Sequence, residues 1–204
     1  MIKNIIFDFG DIFINLDKQA TYKEMAKLGV TEFSQDMMET YFKYEMGLIS
    51  TDDFVGFYQN KFPKITKEAL VFAWNAILLD FPKKRLTFLK ELAASKVYRL
   101  FLLSNTNDLH ISWIQQSLGS EFYKEFENCF EQFYLSHEIN LRKPNTDIYE
   151  FVLRENDLKA SETLFVDDLK ENTESAKTLG IHVWNLIPEE EDVMELFVKN
   201  SILR

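Results

Sequence analysis

Apolar positions along this chain follow two rhythms. The run Ile5, Ile6, Phe7, Asp8, Phe9, Gly10, Asp11 is unbroken by charge until Asp8, which predicts a short, fully buried strand ending in a carboxylate. From about residue 17 to residue 95 the spacing is helical. Ala20, Tyr22, Met25 and Leu28 begin one helix. Met37, Met38, Tyr41, Phe42, Tyr44 and Met46 mark a second, which Gly47 ends. Thr51, Asp52 and Asp53 read as an N-cap and an acidic first turn. They open a third helix carrying Phe54, Phe57 and Tyr58. Thr66 opens a fourth with Leu70, Phe72, Trp74, Ile77 and Leu78, and Pro82 a fifth with Leu86, Leu89 and Leu92.

From Val97 the rhythm changes. Strands are predicted over 97–104, 130–135, 163–166 and 181–187. Helices are predicted over 106–118, after Pro144, over 172–179 and around Val193, Leu196 and Phe197. Gly119 and Gly180 read as helix stops. Strands alternating with helices predict an α/β fold, a doubly wound parallel sheet. The predicted core comprises residues 1–16 and 80–204. The block 17–79 is predicted to be a helical cap inserted after the first strand.

Bulk properties narrow the function. The 204 residues suit one domain with an insertion, and 46% hydrophobic with 27% charged residues is ordinary for a soluble protein. A formal net charge of -10 argues against nucleic acid or an anionic membrane as partner. Cys129 is the single cysteine, so an intramolecular disulfide is excluded and a reducing, cytoplasmic setting is expected. No apolar stretch approaches the roughly 20 residues that span a bilayer.

Four stations carry chemistry. Asp8 ends the first strand, where ligands bind in open α/β sheets; capping a turn is its plainer role. Ser104, Asn105 and Thr106 end a second buried strand and open a helix. That terminus suits a phosphate: the Ser104 hydroxyl can bond a phosphoryl oxygen and Asn105 can donate an N–H. Simple capping accounts for the same residues. Lys143 precedes Pro144, which restricts its backbone and gives its side chain a defined exit. A solvated Arg142–Lys143 loop is the alternative. Asp167 and Asp168 close the strand Leu164, Phe165, Val166, with Asn172 following. Adjacent acids against an apolar strand call for a cation between them, and Mg2+ fits a site of one or two carboxylates.

With these four motifs in order, the chain resembles the haloacid dehalogenase-like hydrolases, in the subclass with a small α-helical cap. The strings Leu103, Ser104, Asn105, Thr106, Asn107, then Tyr134, Leu135, Ser136 with Arg142, Lys143, Pro144, then Phe165, Val166, Asp167, Asp168 look closest to bacterial α-D-glucose-1-phosphate phosphatase-like members. The resemblance implies a Mg2+-dependent phosphatase acting on a small phosphorylated metabolite through an aspartyl-phosphate. Asp8 would be the nucleophile, Ser104 and Asn105 would hold the phosphoryl group, and Lys143 would neutralise it. Asp8, Asp168 and the main-chain carbonyl of Gly10 would bind the metal, with Asp167 in or next to that shell. In one respect the chain departs from the family: phosphatases usually carry a second aspartate two residues after the nucleophile, where Gly10 stands here. The similar sugar-phosphate phosphatases also show glycine there.

Three other readings compete. The superfamily's 2-haloacid dehalogenases work without metal and need no acid pair. Phospho-receiver domains place their acid pair on the first strand. A non-catalytic phosphometabolite-binding protein would keep the pocket without the second acid. Within the cap, Tyr44, Glu45, Met46, Trp74 and Asn75 are candidates to face the site, with packing the simpler role for the aromatics and Met46. His110 and His137 are expected to be solvated or capping, and Trp113 and Trp184 to be core.

Overall fold

β1 (Asn4–Phe7) is buried at every residue and lies in the middle of a parallel sheet. The computed structural model describes residues 1–203; Arg204, the last residue of the predicted core, lies outside the described residues. After β1 come α1 (Ala20–Lys27), α2 (Gln35–Glu45), α3 (Thr51–Lys61) and α4 (Lys67–Asn75). The chain then alternates through α5 (Lys83–Ser95), β2 (Arg99–Ser104), α6 (Asp108–Leu118), α7 (Ser120–Glu127), β3 (Gln132–Leu135), α8 (Ser136–Ile139) and α9 (Thr146–Glu155). β4 (Thr163–Asp167), α10 (Lys170–Thr178), β5 (His182–Asn185) and α11 (Leu196–Lys199) complete it.

Among the described residues the sheet has five strands in the order β3-β2-β1-β4-β5, and each pairing is parallel. Strands covered on both faces need apolar residues on both. Ile5, Phe7, Leu100, Leu102, Leu164 and Val166 point into one apolar cluster, while Ile6, Phe101, Leu103 and Phe165 point into another. The first cluster is completed by α5, α6 and α7 and by a group of rings in which Phe13 lies against Phe81 and Phe126. The high phenylalanine content is therefore largely core. α9 and α10 cover the opposite face.

Register fixes the functional edge. Phe7 pairs with Leu102 on one side and Val166 on the other. Asp8, Leu103 and Asp167 are thus the next residues at the carboxyl end of three adjacent strands. β1 is also where the strand order reverses, the usual location of a ligand crevice.

Helices α1 to α4 share a third apolar cluster, built on Met25, Met37, Tyr44, Phe54, Tyr58, Leu70 and Trp74. α3 begins in a capping box between Ser50 and Asp53, so the cap lies one residue before the predicted Thr51. Two paired linkers join this helical block to the sheet. Leu16 bridges Leu78, Asp17 N–H donates to Ile77 O at 2.9 Å, and Asn15 N–H donates to Asp80 O at 2.9 Å.

The structure adds α7, where the sequence pattern gave no element. Gly119, at φ 86°, ends α6 and also stands as N-cap of the next helix, so its stop signal was legible and the restart was not. At the C-terminus the predicted helix is reduced to a 3-10 turn and the single turn of α11.

Candidate active site

The loop after β1 carries Asp8, which is 8% exposed. Lys143 is 1% exposed and sends its ammonium into the same end of the sheet. Its Nζ lies 2.8 Å from Asp8 Oδ1 and 2.7 Å from Asp167 Oδ2, and donates to Leu103 O at 2.9 Å. The lysine is thus inside the protein, not in a solvated loop. The Lys143–Pro144 peptide is cis.

Asp167 is fully buried and committed. Its Oδ1 accepts from Leu169 N–H at 2.8 Å, and both oxygens accept from Asn172 Nδ2 at 3.0 Å. Asp168 lines the cavity instead, and its Oδ2 meets Lys18 Nζ at 2.5 Å. The adjacent acids therefore divide: Asp167 braces Lys143 and Asn172, while Asp168 lines the cavity wall beside Lys18.

Electrostatics follow from burial. Desolvation pushes the Asp8 carboxyl up to about 7; Lys143 opposes the rise, and the Asp167 and Asp168 carboxylates add to it. Asp168 is also raised, first by burial, with the Lys18 hydrogen bond opposing. Burial alone would lower Lys143, but Asp167 and Asp8 hold it above its ordinary value, so it stays charged.

Oxygens of Asp8, Asp167 and Asp168 lie within 4.8 Å of one another. An all-carboxylate donor set with surplus negative charge fits a hard divalent cation. Asp8, Asp168 and Gly10 share the wall of one cavity of about 500 Å³, together with Ser104, Asn105 and Lys143.

The Asn105 side chain is used elsewhere. Its Oδ1 accepts from Lys143 N–H at 2.9 Å and its Nδ2 donates to Lys143 O at 2.8 Å. For any further contact Asn105 keeps its second Nδ2 hydrogen and its main-chain N–H. Asp11 is buried with φ at 54°. Its Oδ1 accepts from Leu16 N–H at 3.0 Å and its Oδ2 pairs with Lys18 at 3.0 Å, so it is turned away from Asp8.

The helical block closes the other side of the cavity with Gln19, Tyr22, Tyr41 and Glu45. Of the five cap candidates, Glu45 reaches the cavity. Tyr44 stacks on Phe54 inside the block, Trp74 packs in the same cluster, Asn75 is buried, and the Met46 carbonyl receives Asn140 Nδ2 at 2.8 Å. Glu45 Oε1 accepts from Tyr41 OH at 2.6 Å and Oε2 from Arg142 Nε at 2.9 Å, while the Arg142 guanidinium lies 4.3 Å from the Phe42 ring centre.

His110, expected to be solvated or capping, instead lines the cavity. Its Nε2 lies 3.3 Å from Trp74 O; a carbonyl only accepts, so Nε2 carries the hydrogen. Burial lowers His110 to about 4 and keeps the ring neutral. Arg142 and His110 were not legible as cavity residues because their partners, Glu45 and Trp74, lie on other elements. The i, i+4 spacing of Tyr41 and Glu45 on one helix face was the one available signal.

A parallel α/β sheet with a carboxylate, a buried lysine and an acid pair at its carboxyl edge defines a class of hydrolytic enzyme. The chain belongs to the haloacid dehalogenase-like hydrolase family, whose model matches residues 5–186. It is 30% identical over 193 residues to the D-ribitol-5-phosphate phosphatase of Bacteroides thetaiotaomicron, covering 90% of this chain and 91% of that one. A HAD family enzyme from the same organism, crystallised with magnesium and inorganic phosphate, superposes with a TM-score of 0.79 at 31% identity, covering 97% of this chain and 100% of the other. An L-2-haloacid dehalogenase from Xanthobacter autotrophicus shares the fold at a TM-score of 0.57 and 20% identity, covering 90% of this chain and 76% of that one.

Proposed function

We propose that the protein is a Mg2+-dependent phosphomonoesterase acting on a small phosphorylated, hydroxyl-rich metabolite. Sugar 1-phosphates and sugar-alcohol phosphates are the first candidates, the latter because the bacterial relative bears that activity in its name. The observation that carries the reading is Asp8 with Lys143 at 2.8 Å and Asp168 beside it in the same cavity.

Asp8 attacks phosphorus with one carboxylate oxygen. A P–O bond forms to Asp8 while the ester P–O bond breaks, releasing the alcohol oxygen and leaving an aspartyl-phosphate. Water then attacks that intermediate and returns Asp8 and inorganic phosphate. Lys143 offsets charge on the transferring group, and the Ser104 hydroxyl with the Asn105 main-chain N–H orients its oxygens. Asp167 and Asn172 hold Lys143 and the acid loop in place. Asp8, Asp168 and the Gly10 carbonyl would hold the metal, with Asp167 next to that shell. Bound there, Mg2+ supplies charge stabilisation at the phosphoryl oxygens and offsets repulsion between Asp8 and the substrate. Residues 17–79 act as the cap that covers the site, and Tyr41 and Glu45 of the cap, with Arg142 of the core, select the alcohol portion.

The test is phosphate release from a panel of phosphomonoesters, with magnesium, with chelator, and in Asp8→Asn. Activity is expected with magnesium alone and lost in the variant. A rate indifferent to chelator removes the metal from the reading, and metal-independent halide release from 2-haloacids replaces it with dehalogenation.

A further inference from the structure

Lys18 stands in the linker between sheet and helical block and lines the cavity. Its ammonium lies 2.5 Å from Asp168 Oδ2 and 3.0 Å from Asp11 Oδ2. Both carboxylates are nearly buried, with side chains 4% and 9% exposed, whereas the lysine side chain is 45% exposed. The two acids are fixed and the lysine is the flexible partner. Lys143 already serves Asp8 and Asp167, so each edge of the acid cluster has its own cation.

That division creates a competition. A divalent ion held between Asp8 and Asp168 takes an oxygen of Asp168, and Lys18 already sits on one of the two. Two cations drawn to one carboxylate, a few ångströms apart, repel. A side chain almost half in solvent yields at small cost, and Asp11 remains to keep its ammonium at the cavity rim.

We propose that Lys18 is a built-in counter-ion for Asp168 that metal entry displaces, so that this linker residue sets the metal affinity of the site. The inference rests on Asp168 being a metal ligand. Its significance is a site whose acid cluster stays compensated before the metal arrives, with the linker to the cap released from Asp168 when it does.

Calorimetric titration of Mg2+ into the substrate-free protein tests this without reference to turnover. Lys18→Met keeps most of the apolar stem and removes the charge; it should bind Mg2+ about 3- to 10-fold more tightly, the worth of one partly exposed, charge-assisted contact. Lys84→Met is the charge control, since Lys84 lies in the adjacent groove on Asp192, 3.0 Å away, and should leave the affinity unchanged. Unchanged or weaker binding in Lys18→Met overturns the proposal, as does equal tightening in Lys84→Met. The underlying metal reading fails separately, and takes the inference with it, if Asp168→Asn binds Mg2+ as wild type does or if wild type binds none.

Discussion

Asn105 clips Lys143 by both halves of its backbone, accepting from its N–H at 2.9 Å and donating to its carbonyl at 2.8 Å. The loop after β2 thereby fixes the loop before α9, and the lysine side chain runs from that anchor to Asp8. Asn105 is a positioning residue for a cation that has no other main-chain tether of this kind.

Two substitutions separate position from charge. Asn105→Ala should keep the fold and lower kcat by roughly 10²-fold, the effect of displacing a reacting group by about 1 Å. Lys143→Ala should do more, because it leaves Asp8 and Asp167 buried without their shared cation. Breaking such a pair costs about 3–5 kcal/mol, so the metal-free variant should also melt markedly lower. Steady-state kinetics and thermal unfolding check both. An Asn105→Ala enzyme with wild-type kcat would show that the clip does not position the lysine.

The sheet was legible because its central strands are buried on both faces and read as uncharged apolar runs, each ending at a polar residue. Asp8, Ser104 and Asp167 share an edge for that reason. Lys143 was legible as a residue type before a proline, but not as a buried one, since its three oxygen partners come from β1, β2 and β4. The clip by Asn105 joins loops 38 residues apart, and the Arg142–Glu45 pair spans 97. No local pattern encodes such contacts. The resemblance put Asp168 on the metal and Asp167 in or next to that shell; register and the turn into α10 bury Asp167 and turn Asp168 toward the cavity.

Stability of the metal-free protein should carry two opposed pH signatures. Asp8 is raised to about 7 when folded, from an ordinary value near 3.8. Between those limits the folded state binds more protons than the unfolded one, so this group's contribution falls as pH rises through about 7. His110 runs the other way. It is lowered to about 4 from 6.5, the unfolded state binds more protons, and stability is lost as pH falls from 6.5 towards 4. Asp8→Asn should therefore raise the melting temperature at pH 8 more than at pH 5. His110→Gln should flatten the acid limb between pH 6.5 and 4. Chemical denaturation across pH decides both, and an Asp8→Asn gain larger at pH 5 than at pH 8 has the wrong sign.

The helical block proposed as a cap is docked as well as linked. Gly47 ends α2 at φ 65°, and a Cβ there would lie 1.9 Å from the His137 carbonyl oxygen. Nearby, the Ser136 hydroxyl donates to Glu45 O at 2.6 Å. Gly47→Ala must therefore separate α2 from α8, and should raise KM and increase amide exchange across α2. Gly29 is the comparison: its φ is 90° but its Cβ position is open, so Gly29→Ala carries backbone strain alone. Equal exchange in α2 for both variants would mean that the close approach at Gly47 does not hold the cap.

The last expectation concerns the departing oxygen. Two residues after Asp8 stands Gly10, and neither Asp11 nor Glu45 is free to take up the role. The Asp11 carboxylate is occupied by Leu16 N–H and Lys18, and Glu45 by Tyr41 and Arg142. Without a placed proton donor, esters with acidic leaving groups should react far faster than alkyl phosphates. Nitrophenol and anomeric hydroxyls are such groups. The gap should match the worth of general acid–base catalysis, about 10²–10⁴-fold. A series of aryl and alkyl phosphates should give a steep dependence of kcat/KM on leaving-group pKa. Gly10→Asp alone meets an obstacle, since a Cβ there would lie 2.8 Å from Leu16 Cδ1. That atom is the end of a flexible side chain, so Gly10→Asp with Leu16→Ala is the cleaner variant. It should flatten the dependence by speeding the alkyl esters. A wild-type enzyme with no leaving-group dependence would mean that a cavity residue already delivers the proton, with Tyr41, His110 and Glu171, which line the cavity, to replace in turn.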